Sequence, residues 1–471
     1  MRRGPAIDDS KPIWRTMLVF LVPLMISNVL QSASQTFTSI FLGRMLGVGA
    51  LAASSSIFPV LFFLISFFFG IASASTVLIG QAYGAHDQPR LSRSAGTTLS
   101  FAVAFGVIIG IVGLIFDRRI MELIGTPPDI LNDAISYARI VFLALPITFI
   151  YLAYTTFLRG IGDSRSPLIV LIASAAVGIV LTPALILGLF GLPSLGIIAA
   201  PIANVISTTI GLIGLLVYLE KRDNPLAFSK LRHYLGIEVP LLMTLVRLGI
   251  PTGIQFVMIS LSEIAVISFV NRYGSSATAA YGAVNQIVSY VQFPAISIGI
   301  TASIFGAQSI GAQRTDRLRK IVRAGVLLNY TIGGVLIVIV YLLSREILSL
   351  FIIDPPTLEM ARDLLSITLW SYVIFGNTSV LSGMMRSSGS VLWPTTISIL
   401  TIWCVEVPIA WVLSHGPLGL RGVWIAYPIT FIVALTLQAS YYFGVWRRQP
   451  IRALHASPIA DAEGIDEVQP A

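Results

Sequence analysis

Apolar residues run through this chain in stretches too long for a soluble core, broken at intervals by short polar connectors. Twelve such stretches can be marked, at roughly 16–40, 52–81, 95–116, 134–157, 167–190, 196–219, 244–270, 278–307, 324–343, 362–385, 393–414 and 422–445. Crossing a bilayer core takes about 20 apolar residues as a helix. Barrel strands are shorter and alternate apolar with polar positions. The pattern therefore predicts twelve transmembrane helices and an all-α membrane protein. Some helices also carry polar residues at helical spacing. Asn28, Gln31, Gln35 and Thr38 step by three and four along the first stretch, and Tyr281, Asn285, Ser289 and Gln292 do so along the eighth. Each set falls on one helical face. Lipid does not tolerate such a face, so each is expected to point into the protein.

Composition agrees. Hydrophobic residues make up 55% of the 471, and charged residues 11%, against about 25% charged in soluble domains. The net charge of +8 suggests a nucleic-acid partner until the charges are placed. With a cytoplasmic N-terminus, 21 lysines and arginines fall in loops on the inner side, and only Arg44, Arg118, Arg119, Arg272, Arg345 and Arg421 on the outer side. This is the bias by which basic residues hold loops in the cytoplasm. The basic balance thus records topology, and no nucleic acid is expected to bind. A multi-pass protein of the plasma (inner) membrane is expected, with the bilayer as its surroundings and both termini cytoplasmic. Arg2 and Arg3 precede a long run whose second half is polar, which reads as a retained span rather than a cleaved leader. The single cysteine, Cys404, is expected to be buried; alone it offers neither a disulfide nor a thiolate metal site.

The chain repeats itself. FLRGIGDSRSP (157–167) and MMRSSGSVLWP (384–394) keep an arginine, a glycine and a proline in step: Arg159 with Arg386, Gly162 with Gly389, Pro167 with Pro394. The same displacement pairs Gly47 with Gly274, Gln81 with Gln308, Gly84 with Gly311, Pro128 with Pro355 and Pro201 with Pro428. The repeated unit holds six spans. Six is even, so both copies enter on the same side, as parallel repeats about an axis along the membrane normal. The expected organisation is a cytoplasmic N-terminus at 1–15, an N-lobe of helices 1–6 at 16–219 and a cytoplasmic linker at 220–243. A C-lobe of helices 7–12 follows at 244–445, then a disordered cytoplasmic tail at 446–471. Proteins built this way place substrate and ion sites near the midplane, where the repeats meet. Gly162 and Gly389 either let helices approach closely or absorb backbone rotation; the sequence leaves both open.

These repeated motifs also carry a resemblance. LRGIGDSRSP resembles the loop after helix four in the multidrug and toxic compound extrusion (MATE) family. GQAYGA (80–85) and AQSIGA (307–312) resemble that family's paired ends of helices two and eight, and IFLGRMLGVGALAA (40–53) its segment after helix one. The match covers roughly 15–445. It implies two six-helix bundles in a V and secondary active efflux of drug-like compounds against H⁺ or Na⁺ by alternating access. It also implies a small organic substrate, no cofactor beyond the coupling ion, and a monomer. Two departures stand out. The family commonly has an aspartate in helix one in a pattern like D-T-x-F-x-G-R, where this chain has T-S-I-F-L-G-R and Thr38. It often has Asn-x-x-x-Asp-Pro in helix five, where this chain has Gly178 and Thr182 before Pro183. Neither N-lobe aspartate is present, so no coupling residue carries over there.

Two carboxylates remain deep in spans, Glu263 in helix seven and Glu406 in helix eleven. Ionisable groups at that depth are rare and usually functional, so both are candidates for coupling or cation binding. Glu406 alternatively bonds backbone freed by Pro408. The candidate cavity lining is Asn28, Gln31, Gln35, Thr38, Thr182, Gln255, Tyr281, Asn285, Ser289 and Gln292. The bland reading of these residues is interhelical hydrogen bonding, about 0.6 kcal/mol each. Trp370, Tyr372, Tyr151 and Tyr154 can offer aromatic faces to an organic cation or simply pack.

Other chemistries find no support. His86, His233, His415 and His455 fall in loops or the tail without metal-site spacing. No GxxxxGK[ST] loop is present for ATP, and no nucleophile–base pair is apparent. No catalytic residue, metal or enzyme activity is therefore expected; an intramembrane enzyme is a distant alternative. A flippase for lipid-linked sugars is a nearer one, but it calls for a strongly cationic cavity, and no span centre carries Lys or Arg. Topology is directly testable: a reporter fused after residue 471 should lie in the cytoplasm, and a periplasmic reporter would overturn the assigned orientation.

Overall fold

The computed structural model describes residues 12–191, 193–451 and 453–454. Twelve helices among them are long and apolar enough to cross a membrane: α1 Ile13–Leu46, α2 Val48–Gly84, α3 Gln88–Ile115, α4 Leu131–Gly160, α5 Arg165–Leu187, α6 Gly196–Lys221, α7 Val239–Asn271, α8 Ser275–Gly311, α9 Asp316–Leu342, α10 Pro355–Arg386, α11 Leu392–Ser414 and α12 Leu420–Arg448. A helix satisfies its backbone groups within itself, which lipid requires. Ends are set locally. Asp87 accepts from the Arg90 amide at 3.0 Å ahead of α3, and Asp354 from the Thr357 amide at 3.1 Å ahead of α10. Both are N-caps with proline in the first turn that follows. The 220–243 connector is partly helical, with short turns at Phe228–Leu231 and Arg232–Tyr234. Residues 1–11, 452 and 455–471, which carry most of the N-terminal and tail expectations, lie outside the described residues.

Contacts divide the chain into two compact units. One holds 30–250; the other holds 251–451 together with the start of α1 up to Val29. The division therefore cuts α1 and α7 rather than the connector at 220–243. These are long helices, and each end follows its nearest packing partner. The start of α7 belongs with the 30–250 unit because Gly249 lies against Ile71 of α2, where a Cβ would stand 2.7 Å from the Ile71 Cα. The start of α1 belongs with the other unit. There Phe20 meets Phe305 edge-on at 5.6 Å, and Asn28 donates to the Ser297 hydroxyl at 3.0 Å.

In the 30–250 unit, α3 packs most closely on α4 and α5 on α6. Gly106 and Gly110 of α3 leave room for the α4 backbone at Pro146 and Phe142. Phe68 and Phe149 stack at 4.4 Å in its core. In the 251–451 unit, α8 packs on α10, and α12 on both α10 and α11. Gly299 and Gly383 bring α8 and α10 into backbone contact. Small residues at such crossings increase contact where hydrophobic burial offers no drive between helices. A π-turn at Asn329–Gly333 in α9 presents Asn329 to α10. Asn329, 1% exposed, donates to the Val373 carbonyl at 2.8 Å and to Asn377 Oδ1 at 3.0 Å. Asn377 in turn donates to the Tyr330 hydroxyl at 3.1 Å.

The internal repeat reaches the backbone. Gly47 and Gly274 both have φ 93°, His86 and Gln313 have 58° and 57°, and Gly162 and Gly389 have 87° and 84°. These pairs keep the displacement seen in the sequence. Gly162 and Gly389 close the last turns of α4 and α10, donating to the Arg159 and Arg386 carbonyls at 2.9 Å each. Their left-handed conformation is a C-terminal helix stop, which gives the glycines a local structural role. Gly162→Ala or Gly389→Ala should each destabilise the protein by about 1–2 kcal/mol, read as a lower thermal midpoint in detergent. Gly214→Ala is the control, since a Cβ there meets nothing within 4 Å; equal midpoints for all three would refute the assignment. Asn329→Ala should cost about 1–3 kcal/mol by leaving buried acceptors without their donor, and an unchanged midpoint would show that the network contributes nothing.

Candidate functional site in the second helical unit

The two mid-span carboxylates lie in the same unit and at matching depth. Glu263 is about two turns from the end of α7 at Asn271, and Glu406 about two turns from the end of α11 at Ser414; at 1.5 Å per residue each is about 12 Å below its helix end. The turns that follow are fastened together. The Tyr273 hydroxyl donates to the Ser414 carbonyl at 2.6 Å, and Arg272 Nη1 lies 2.9 Å from His415 Nε2. The two carboxyls thus sit at the same level below those turns.

Glu406 ends a π-turn, Ile402–Glu406, just before Pro408. A π-turn adds a residue to one turn and rotates the side chains that follow; such turns are frequent at functional sites. Here Glu406 is carried inward and is 7% exposed. It makes no hydrogen bond or ion pair among the described residues, so backbone freed by the proline does not hold it. Cys404, on the same π-turn, faces outward and is exposed. The expectation of a buried thiol is thereby corrected: two helical residues make about 200°, which puts positions 404 and 406 on opposite faces. Glu263 is accessible at the surface of its unit, on a helix whose far end is anchored by fully buried Val266 and Val270.

Tyrosines surround this level. Tyr281 of α8 and Tyr427 of α12 face each other hydroxyl to hydroxyl at 2.7 Å. Tyr281 stacks on Trp424, ring centroids 5.9 Å apart and nearly parallel at 8°. Tyr372 of α10 meets Phe431 edge-on at 5.2 Å. Asn285 lies one turn along α8 from Tyr281. No lysine or arginine occupies the middle of any helix in this unit.

The other sequence candidates are more dispersed. Asn28 spends its amide on Ser297. Gln31 and Gln35 are exposed on the stretch of α1 that belongs to the 30–250 unit. The Thr38 hydroxyl donates to its own helix at Ser34, 3.1 Å away, and the Ser289 hydroxyl to Gln286, 2.7 Å away. Gln292 is half-buried on α8. Gln255 accepts from Arg386 at 2.5 Å and from Thr395 at 3.4 Å, two turns from Glu263 on α7. Thr182 is buried in α5, and Tyr151 and Tyr154 lie in α4, all in the 30–250 unit. Trp370 is 44% exposed. Tyr427 and Trp424 were not legible as site residues. Tyr427 lies 146 positions from its partner Tyr281, and only folding pairs them.

Comparison with known proteins agrees with this architecture. The MatE family pattern matches twice, at 23–184 and 251–412, once in each half of the chain. The probable multidrug resistance protein YoeA of Bacillus subtilis (strain 168) is 54% identical over 448 residues, covering 94% of this chain and 97% of its own. The fold is that of a crystal structure of a Vibrio cholerae MATE transporter, VcmN, in a mutant form, with a TM-score of 0.85 at 18% identity over 93% of this chain and 98% of that one. A crystal structure of a MATE protein in complex with MaD3S gives 0.84 at 20% identity over 92% and 96%. Twelve membrane-crossing helices, a duplicated half and a family pattern matched in both halves lead to one conclusion: this chain belongs to the MatE family of multidrug efflux transporters and is a multi-pass integral membrane protein.

Proposed function

We propose that this chain exports small drug-like organic compounds, cationic or neutral, by antiport against H⁺ or Na⁺, and that coupling resides at Glu263. It works in the plasma (inner) membrane with both termini in the cytoplasm, as a monomer, and exposes its binding site to the two sides in turn. The observation that carries this reading is the distribution of charge. Both mid-span carboxylates lie in the 251–451 unit, and one of them, Glu406, is buried without a hydrogen-bond partner. The first-half positions where the family often places aspartate hold Thr38 and Thr182. A carboxylate in such surroundings binds a proton, Na⁺ or an organic cation, one at the expense of another. Competition for one group makes the exchange obligatory. The lack of mid-span lysine or arginine favours neutral or cationic cargo over a pyrophosphate-linked sugar.

The energetics close. One charge moved down 100 mV releases about 2.3 kcal/mol. Raising a neutral compound a hundredfold takes about 2.7 kcal/mol, at about 1.4 per tenfold. One ion with a modest chemical gradient is therefore enough. In proteoliposomes, Glu263→Gln should leave expression and folding intact while gradient-driven uphill flux falls at least tenfold and equilibrium exchange persists. A variant that pumps at the wild-type rate would move coupling to another residue, Glu406 first. Uphill flux by the wild type with no ion gradient at all would overturn antiport.

A further inference from the structure

The two halves share backbone features but differ at one end, where α3 begins and α6 ends in the first half and α9 begins and α12 ends in the second. In the first half the connector folds back over that end. Leu226 and Leu231 are fully buried in the core of the 30–250 unit. Gln88 Nε2 donates to the Pro225 carbonyl at 3.1 Å, and Glu220 accepts from both the amide and the hydroxyl of Ser229 at 2.7 Å each. In the second half the equivalent place is open. A cavity of about 410 Å³ lies there, between the first turn of α9 and the last turns of α12.

This cavity has a basic rim and an aromatic floor. Arg319 and Arg447 are both exposed and both line it. Neither side chain makes an ion pair or a hydrogen bond among the described residues. Asp316, also in the lining, is answered by Arg314 at 3.1 Å. The floor is Tyr442 and Trp446, 4% and 3% exposed, stacked with ring centroids 5.1 Å apart. The Trp446 indole is fixed by donating to the Ser388 hydroxyl at 2.9 Å. Two unpaired guanidinium groups on one cavity leave an excess of positive charge that an anion balances. The displacement that relates the halves puts Ser92 at the place of Arg319, Glu220 at that of Arg447 and Leu219 at that of Trp446. The covered end therefore carries none of this chemistry.

Depth identifies the class of anion. α12 has 29 residues and α9 has 27, which at 1.5 Å per residue makes about 43 and about 40 Å. The hydrocarbon core is about 30 Å thick and the whole bilayer about 40–45 Å. The ends of these helices thus reach the lipid headgroups, the level that tryptophan and tyrosine favour. Arginine pairs with phosphate oxygens through parallel N–H bonds, and basic pockets between membrane helices take anionic headgroups. We propose that this cavity binds the headgroup of an anionic phospholipid of the phosphatidylglycerol type, with Arg319 and Arg447 on its phosphate and the Tyr442–Trp446 floor against its glycerol. This adds a lipid ligand to the export reading and does not depend on it. A zwitterionic headgroup carries an ammonium that opposes the two arginines, so it binds more weakly.

Binding is measured on the full-length protein, purified in detergent and stripped of lipid, by native mass spectrometry with added phosphatidylglycerol or phosphatidylethanolamine. The wild type should half-saturate with phosphatidylglycerol at a concentration at least tenfold below that for phosphatidylethanolamine. Equal concentrations overturn the proposal. Arg447→Glu, which installs the charge found in the first half, should weaken phosphatidylglycerol binding at least tenfold, or about 1.4 kcal/mol. Arg319→Gln should weaken it at least threefold. Arg448→Glu is the control, since it makes the same charge change one residue outside the lining, and it should stay within twofold of wild type. Both lining arginines are exposed, so thermal midpoints without lipid should be unchanged; where one variant lowers its midpoint, the other decides. Binding within twofold of wild type in the lining variants overturns the site. An equal loss in Arg448→Glu assigns the binding to diffuse surface charge and overturns it too. sn-Glycerol 3-phosphate carries the phosphate without acyl chains. It should fail to displace phosphatidylglycerol at equal concentration, and displacement would make the ligand a soluble phosphate ester instead of a lipid.

Discussion

The helices and most of their polar side chains answer to one constraint: in hydrocarbon, a polar group must find its partner within the protein. The twelve long helices satisfy the backbone that way. Side chains follow the same rule at short range. Ser27 donates to the Pro23 carbonyl, Thr38 to Ser34, Thr301 to Ser297 and Thr430 to Ala426, each one turn back on its own helix. A serine or threonine in a membrane helix therefore needs no cavity to explain it. Asparagine and glutamine cannot close on themselves so simply, and they reach across: Asn28 to Ser297, Asn329 to Asn377, Gln438 to the Pro394 carbonyl.

Against that background a mid-span carboxylate without a partner is informative. Glu406 is buried, with neither a hydrogen bond nor a counter-ion. It is held there by a π-turn and a proline that leave the helix one residue out of its ordinary register. A carboxylate deep in a membrane helix costs free energy, and such groups are kept mainly where they serve ion or substrate pathways. Among its described residues the 30–250 unit has no mid-span carboxylate of this kind. Its core is aromatic and aliphatic, around Phe68, Phe105 and Phe149, with threonines at the two positions where relatives often carry aspartate. Two halves with matching backbone geometry thus differ in chemistry, and both mid-span carboxylates lie in one of them.

Matching geometry survives because it rests on residues that few others can replace. The positive φ angles at Gly47 and Gly274, and at Gly162 and Gly389, favour glycine for steric reasons. The close crossing at Gly299 and Gly383 leaves no room for a Cβ. Such positions resist substitution while the lining residues between them diverge. The repeat can therefore be traced in glycines and prolines even though Glu263 and Glu406 have no counterparts in the first half.

The sequence by itself determined the number and nature of the spans, the duplication and its displacement, and the two carboxylates worth attention. Hydrophobic length, loop residues and buried charge are properties of short segments, and each is imposed by lipid or by backbone sterics without regard to the rest of the chain. The tertiary structure alone decided which polar residues belong together. The helix-one stripe of Asn28, Gln31, Gln35 and Thr38 shares a face, yet Asn28 falls in one compact unit and the other three in the other. Gln255 is engaged by Arg386 at the end of α10, 131 positions away. Tyr427 joins Tyr281 across 146 positions, and the turns after α7 and α11 are bonded to each other across 141. Periodicity fixes a face along one helix, but the neighbour that the face meets is set by packing between segments far apart in the chain.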